Sequence, residues 1–334
     1  MDPILKLENV SVSYDDVPIL HDVSLEVFPG EIVGVVGESG SGKSTTINAV
    51  MGLLGSDGAV TEGSVTFEGQ ELLSLGKEDL RELRGTGISL IAQDPTEVFH
   101  PIRKIRDQLK EYVKCHDGLT YGEAEERLLQ IMEKINLPDG KRILNSYSYE
   151  LSGGMCQRVA IAFAMLYEPK LLFADEPTSA LDVTVQAQVV EELKKINRDS
   201  GTAIFIVSHN MGVVSHMASR VIIMYSGIIV EQGPTEAILR DPRHPYTRNL
   251  IKAIPKMNEP APTGVQNYTR DRSFVRCLLS HECACRTERC EKAMPPLVEV
   301  SPGHLVRCCE PNVIHSGRTI RRVTARVAER SPHE

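Results

Sequence analysis

The chain has no apolar run approaching the ~20 residues that cross a bilayer, so no membrane-spanning helix is expected. It also lacks an excess of positive charge. Its 37 lysines and arginines against 45 acidic residues leave a net charge of −8, which argues against a nucleic-acid partner gripped through its phosphates. The opening Met1-Asp2-Pro3-Ile4-Leu5-Lys6 does not have the form of a secretory signal, and a cytosolic chain is expected from it. Cysteine is sparse over most of the length: Cys115 and Cys156 stand alone, and the other six lie between Cys277 and Cys309. In a reducing compartment these thiols are not expected to form a disulfide framework. What remains, 41% hydrophobic and 25% charged over 334 residues, is the balance of a globular chain with one or two domains.

The strongest positive signal is Gly37-Glu38-Ser39-Gly40-Ser41-Gly42-Lys43-Ser44-Thr45, placed directly after Glu31-Ile32-Val33-Gly34-Val35-Val36. The apolar run predicts a buried strand, and the segment beyond it predicts a helix over 43–54. Gly37, Gly40 and Gly42 let the backbone turn so that successive N–H groups point inward at phosphate oxygens. The helix start adds its own unpaired N–H groups and the positive end of its dipole. Lys43 is placed to reach the β- and γ-phosphates, and the Ser44 hydroxyl to ligate Mg²⁺. A turn that merely capped a helix would have no need of Lys-Ser after its last glycine. The motif implies a nucleoside triphosphate site.

Around this loop the texture is that of an α/β fold. Leu5, Leu7, Val10 and Val12, then Val23, Leu25 and Val27, alternate as short half-buried antiparallel strands, and Val65 and Phe67 continue that pattern. Glu, Leu, Lys and Arg at helical spacing over about 107–138 predict an inserted helical subdomain. The apolar runs at 171–174, 204–207 and 221–224 are separated by helical stretches at about 153–168 and 183–200, which favours a parallel sheet. Ser226-Gly227 reads as a hairpin turn. Pro255, Pro260, Pro262 and Gly264 mark a linker before the cysteine-bearing end.

Two further segments narrow the chemistry. The run at 171–174 ends in Asp175-Glu176, where the aspartate can hold Mg²⁺ and the glutamate can act as base or orienter for an attacking water. Leu151-Ser152-Gly153-Gly154-Met155-Cys156-Gln157 opens a helix with a second anion cradle, which makes sense if it serves the nucleotide of another subunit.

With these motifs in order, residues 5–235 resemble the ATP-hydrolysing subunit of an ATP-binding cassette (ABC) transporter. The resemblance implies a P-loop NTPase cassette over 1–235, with a RecA-like core, an antiparallel β subdomain and a helical subdomain at about 94–152. It implies that Ser39, Gly40, Ser41, Gly42, Lys43, Ser44 and Thr45 hold ATP and that Tyr14 stacks on adenine. Gln93 would touch Mg²⁺ and the attacking water, Asp175 would share the metal, and Glu176 and His209 would act on the γ-phosphate. Ser152, Gly153, Gly154, Gln157 and Asp182 would reach the nucleotide of the second cassette. Three departures from the family pattern are the loop Asp94–Pro101, Cys156 where arginine is common, and Asn210 where an acid is common. None removes a catalytic atom.

Arg243-His244-Pro245-Tyr246-Thr247 resembles a segment of the oligopeptide, dipeptide and nickel importer ATPases, giving a 236–270 stretch with this motif and the linker. Residues 271–334 are then expected as a small Cys-rich C-terminal domain with a basic tail carrying Arg318, Arg321, Arg322, Arg326 and Arg330. By the same resemblance Cys277, Cys283, Cys290 and Cys308 would hold a [4Fe–4S] cluster; zinc and metal-free structural thiols are the alternatives, and Cys285 or Cys309 could replace a neighbour. The implied partners are two transmembrane permease subunits, a second ABC ATPase in a heterodimer and an extracytoplasmic substrate-binding protein, with no nucleic acid. The implied location is peripheral, on the cytoplasmic face of the inner membrane. Peptides are the expected cargo, with nickel, metal chelates or sugars as alternatives. A soluble ABC ATPase acting on DNA or ribosomes is the reading from a different class.

Overall fold

A computed structural model describes residues 1–179, 181–253 and 272–311, and the backbone of 313–316 and 319–322. The expected linker prolines Pro255, Pro260 and Pro262, with Gly264 and the tail residues Arg318, Arg326 and Arg330, lie outside the described residues. In chain order the amino-terminal elements are β1 (Leu5–Tyr14), β2 (Val17–Val27), β3 (Ile32–Val36), α1 (Lys43–Met51), β4 (Gly58–Phe67), β5 (Gln70–Glu71), α2 (Lys77–Thr86) and β6 (Ile88–Ile91). There follow α3 (Pro95–Val98), α4 (Ile105–Lys114), α5 (Tyr121–Lys134), α6 (Gly140–Leu144), α7 (Gly153–Ala164), β7 (Leu171–Asp175), α8 (Val183–Ser200), β8 (Ala203–Ser208) and α9 (Met211–Met217). The remainder comprises β9 (Arg220–Tyr225), β10 (Ile228–Pro234), α10 (Thr235–Arg240), α11 (Pro245–Lys252), α12 (Glu288–Lys292), β11 (Leu297–Ser301), β12 (His304–Arg307), β13 (Val313–Ser316) and β14 (Thr319–Arg322).

Two sheets form the body. The first runs β2-β1-β4-β5 and is antiparallel. Its strands are longer than the alternation suggests, 10 and 11 residues for β1 and β2. The register shifts between Leu7 and Val12, and Asn9 sits at φ 51, so a bulge carries the strand past Glu8-Asn9 where the apolar alternation breaks. The second sheet runs β11-β12-β10-β9-β3-β8-β7-β6, with β9, β3, β8, β7 and β6 parallel. Strands β3 and β8 are buried at every residue, which explains their unbroken apolar sequences. The carboxyl ends of β3 and β7 lead straight into the loops that carry the candidate chemistry, the usual position for a ligand site in such sheets.

Helices α4 to α6 pack with α7 through Leu109, Leu128, Met132 and Ile143, as the helical spacing predicts. Thr120 opens α5 with a capping box to Glu123. Among the described residues no helix is long and apolar enough to cross a membrane.

The carboxyl end differs from a free-standing small domain. Strands β11 and β12 form a hairpin, and β12 pairs antiparallel with β10 through Glu231↔Val306 and Gln232↔Leu305, so the cassette's own sheet continues into the cysteine-bearing segment. Arg307 reinforces this seam by donating to the Ile229 carbonyl at 3.0 Å and to Asp22 at 3.1 Å. Phe274 stacks on His21 at 4.7 Å between centroids.

Candidate active site

The phosphate-binding loop has the backbone its glycines permit. Gly40 and Gly42 lie at φ 77 and 103, and Gly42 is the N-cap of α1. A side chain at Gly37 would stand 2.3 Å from the Met224 carbonyl and 2.5 Å from the Ser41 hydroxyl, so the loop can sit on β9 only with glycine there. Lys43 Nζ donates to the carbonyls of Gly37 and Glu38 at 2.8 and 2.9 Å. Burial lowers the Lys43 pKa, opposed by the charges of Glu176, Asp175 and Glu38.

Ser39, Gly40, Gly42, Lys43, Ser44 and Thr45 share one cavity of about 550 Å³ with Gln93, Glu176 and His209. Asp175, at the end of β7, is half-buried and faces Ser44. Burial raises its carboxyl pKa while a hydrogen bond from the Ser44 hydroxyl lowers it, with a net upward shift. Its Oδ1 is buried with no hydrogen-bond partner. An orphaned carboxylate oxygen beside a hydroxyl is a donor set that suits Mg²⁺ and is costly without a cation. The Glu176 backbone N–H donates to Val207 at 2.9 Å, holding the residue in the sheet although its φ is 46. Its side chain meets His209 Nδ1 at 3.0 Å.

Other expected site residues lie elsewhere. Tyr14 ends β1 with its ring against Gly58, and it does not line the cavity. Ser152 is the N-cap of α7, accepting from the Met155 N–H at 3.3 Å, and Gly153 is exposed beside it. Gln157 is buried in the same helix with neither amide atom partnered. Asp182 caps α8, accepting from the N–H groups of Thr184 and Val185 at 3.0 Å each. None of Ser152, Gly153, Gly154, Gln157 and Asp182 lines the cavity. The departures have local explanations. Asn210 caps α9 by accepting from Gly212 and Val213, and Cys156 is buried with its thiol donating to the Pro95 carbonyl at 3.2 Å. Burial pushes the Cys156 pKa up to about 11, so this thiol is inert at neutral pH.

In the sequence Tyr246 stands out only as part of the Arg243–Thr247 family segment, and Glu231 does not stand out. In the structure Tyr246 is completely buried against Tyr225, and its hydroxyl accepts the Glu38 N–H at 3.1 Å. Glu231 is completely buried and accepts from the N–H groups of Arg243 and His244 at 2.7 and 2.8 Å and from His304 at 2.7 Å. Burial pushes its pKa up, but these hydrogen bonds outweigh that and hold it below the usual carboxylate value. An acid inside Ile228-Ile229-Val230-Glu231 was itself a signal, because a charge in a buried strand requires partners.

Among the described residues no three histidine, cysteine or acidic side chains stand close enough to hold a single metal ion. The Cys277 thiol is hydrogen-bonded to Cys290, and Cys283 and Cys308 lie within electrostatic reach of Cys277. Burial raises Cys283 to about 12 and Cys308 to about 11. Burial would also raise Cys290, but hydrogen bonds from Thr287 and from Cys309 outweigh it and hold that thiol below its ordinary value.

Fold and cavity together define a P-loop ATP-binding cassette. Residues 20–179 match the family described as ABC transporter, and residues 230–290 match the oligopeptide/dipeptide transporter C-terminal region. The chain is 38% identical over 316 residues to the oligopeptide transport ATP-binding protein OppD of Salmonella typhimurium, covering 92% of this chain and 94% of the relative. It is 36% identical over 331 residues to a putative peptide import ATP-binding protein of Brucella ovis, covering 92% and 96%. The dimeric structure of MJ0796, a bacterial ABC transporter cassette, superimposes with a TM-score of 0.61 at 30% identity, covering 69% of this chain and 98% of that one. The chain belongs to the ATP-binding subunits of the ABC transporter family, in its oligopeptide/dipeptide branch.

Proposed function

We propose that this chain is the ATP-hydrolysing subunit that energises import of di- and oligopeptides, peripheral on the cytosolic face of the cytoplasmic membrane. One observation carries the reading: the phosphate loop, Gln93, Glu176 and His209 share a cavity from which Ser152, Gly153 and Gly154 are absent. Such a site is half complete, and a second cassette has to supply the other half. The cargo follows from the peptide transport relatives over 92% of the chain.

In this reading the loop N–H groups and Lys43 hold the phosphates, and Tyr14 stacks on adenine. Ser44, Gln93 and Asp175 hold Mg²⁺, which when bound neutralises charge on the β- and γ-phosphates. Glu176 takes the proton of the attacking water, and His209 orients that carboxylate and the γ-phosphate. Ser152, Gly153, Gly154, Gln157 and Asp182 serve the nucleotide of the second ATPase, a different chain in a heterodimer. Two permease subunits and an extracytoplasmic binding protein complete the machine. As functional units, 1–235 is the cassette, 236–270 the connecting stretch and 271–334 the cysteine-bearing end.

The isolated chain is therefore expected to hydrolyse ATP poorly; specific activity rising with its concentration would mean that it pairs with itself instead of with a different cassette. Robust activity from a demonstrated monomer, independent of concentration, would rule out the shared site. Reconstituted with its partners, the ATPase should be stimulated by short peptides through the binding protein. Stimulation by a nickel chelate or a sugar instead would reassign the cargo.

We further infer that Cys277, Cys283, Cys290 and Cys308 hold a [4Fe–4S] cluster with a structural role. Single tetrahedral zinc needs its sulfurs within ~4 Å of one another. The support for the cluster is the sequence spacing of four soft thiolate ligands. Anaerobically purified chain should be brown and carry about four irons and four sulfides. A colourless protein with one zinc would sink the cluster, and bleaching by changes at Cys285 or Cys309 but not at Cys283 or Cys308 would reassign its ligands.

A further inference from the structure

The connecting stretch has a simple shape: a short loop, a proline-started helix and one tyrosine directed at the phosphate loop. Pro245 is the first residue of α11, where its fixed φ suits the helix and its missing N–H costs nothing. His244 is the N-cap and accepts the Tyr246 N–H on Nδ1 at 3.3 Å. Acceptance requires an unprotonated Nδ1, and burial lowers the His244 pKa to about 4. The loop before the helix is bolted to β10 because Glu231 accepts the N–H groups of both Arg243 and His244. These contacts leave Tyr246 little freedom, with its ring held at 4.7 Å from that of Tyr225.

We propose that Tyr246 is a positioning residue of the phosphate-binding loop: its hydroxyl accepts the Glu38 N–H and so sets the first turn of the loop. Glu38 follows Gly37, the residue that must pass over the Met224 carbonyl without a side chain. That crossing fixes where the loop leaves β3. The tyrosine hydroxyl fixes the Gly37–Glu38 peptide, whose carbonyl Lys43 Nζ meets at 2.8 Å, and Lys43 meets the carbonyl of the following peptide at 2.9 Å. A free loop would have to order these peptides when phosphates arrive. Here the ordering is done beforehand by a side chain more than two hundred residues away in sequence, which favours nucleotide binding by cutting its entropic cost. Packing alone does not account for the tyrosine. Phenylalanine would fill the same space, and a buried hydroxyl without its partner would be a cost.

The inference rests on ATP occupying this loop, and the test separates the two. Affinity of the full-length chain for Mg·ATP is measured by calorimetry for the unaltered protein, Tyr246→Phe and Tyr246→Ala, with thermal midpoints alongside. Tyr246→Phe should keep the fold and its melting temperature within a few degrees, yet raise the Kd roughly three- to tenfold. Tyr246→Ala should lose both stability and affinity, so that phenylalanine rescues the first and not the second. In the assembled transporter Tyr246→Phe should raise the KM for ATP while turnover at saturating ATP stays within about twofold. Hydrogen exchange gives a reading that needs no variant: the Glu38 amide should be protected in the unaltered, nucleotide-free chain. Free exchange of that amide, or a Tyr246→Phe Kd equal to that of the unaltered protein, would overturn the inference. Failure of the unaltered chain to bind ATP would instead strike the nucleotide reading itself.

Discussion

Replacing Glu176 by glutamine is expected to lower steady-state ATP turnover in the assembled transporter by roughly two to four orders of magnitude. The amide keeps the shape of the side chain and can still meet His209, now 3.0 Å from the carboxylate, but it cannot take the proton of the attacking water. Nucleotide binding should survive. The substitution removes one negative charge from a wall that the γ-phosphate approaches, so affinity for ATP should hold or rise. The expected product is a closed, ATP-loaded pair of cassettes, seen as a stable dimer in size-exclusion chromatography with Mg·ATP. The measurement requires the second cassette's own site to be disabled, since its turnover would mask the loss. Hydrolysis at the unaltered rate under those conditions would remove Glu176 from the reaction.

Lys43→Ala should fail earlier, at binding. The ammonium lies within hydrogen-bond distance of the carbonyls of Gly37 and Glu38, inside the cavity the phosphates would enter. Charge-assisted hydrogen bonds to phosphate are among the stronger ones in proteins, so its loss should raise the Kd for ATP by roughly ten- to a hundredfold. Circular dichroism should remain that of the unaltered chain, because the lysine is not part of the apolar core beneath the loop. A fluorescent ATP analogue titrated against both proteins measures the effect. An unchanged Kd would mean that the backbone N–H groups alone hold the nucleotide.

Much of this was legible from residues near one another in the chain. The loop 37–45 contains its own explanation, since its glycines, lysine and serine act within one turn and one helix start. The strand at 171–175 announces Asp175, and Glu176 just beyond it, in the same way. Contacts that join distant segments were not legible. Tyr246 and Glu38 are separated by 208 positions, and nothing in the composition of either segment pairs them. The proline-rich texture after residue 253 reads as a linker, and nothing in it tells that the sheet of the cassette resumes beyond it at β12. Alternation locates a strand but does not name the neighbour it pairs with. Asp182 illustrates a subtler limit. Its motif implies a contact between subunits, and within the chain the same carboxylate caps α8, so one residue type at one position is compatible with both.

The pairing of β12 with β10 also bears on how the polypeptide behaves if cut short. Edge strands with unsatisfied N–H and carbonyl groups invite pairing with other chains. A truncation at residue 253 would strip the hairpin from β10 and bare a strand whose residues Ile228–Gln232 are buried in the whole protein. During synthesis the same edge stands open for the interval in which the cassette has emerged and its last strands have not, and pairing with β12 closes it.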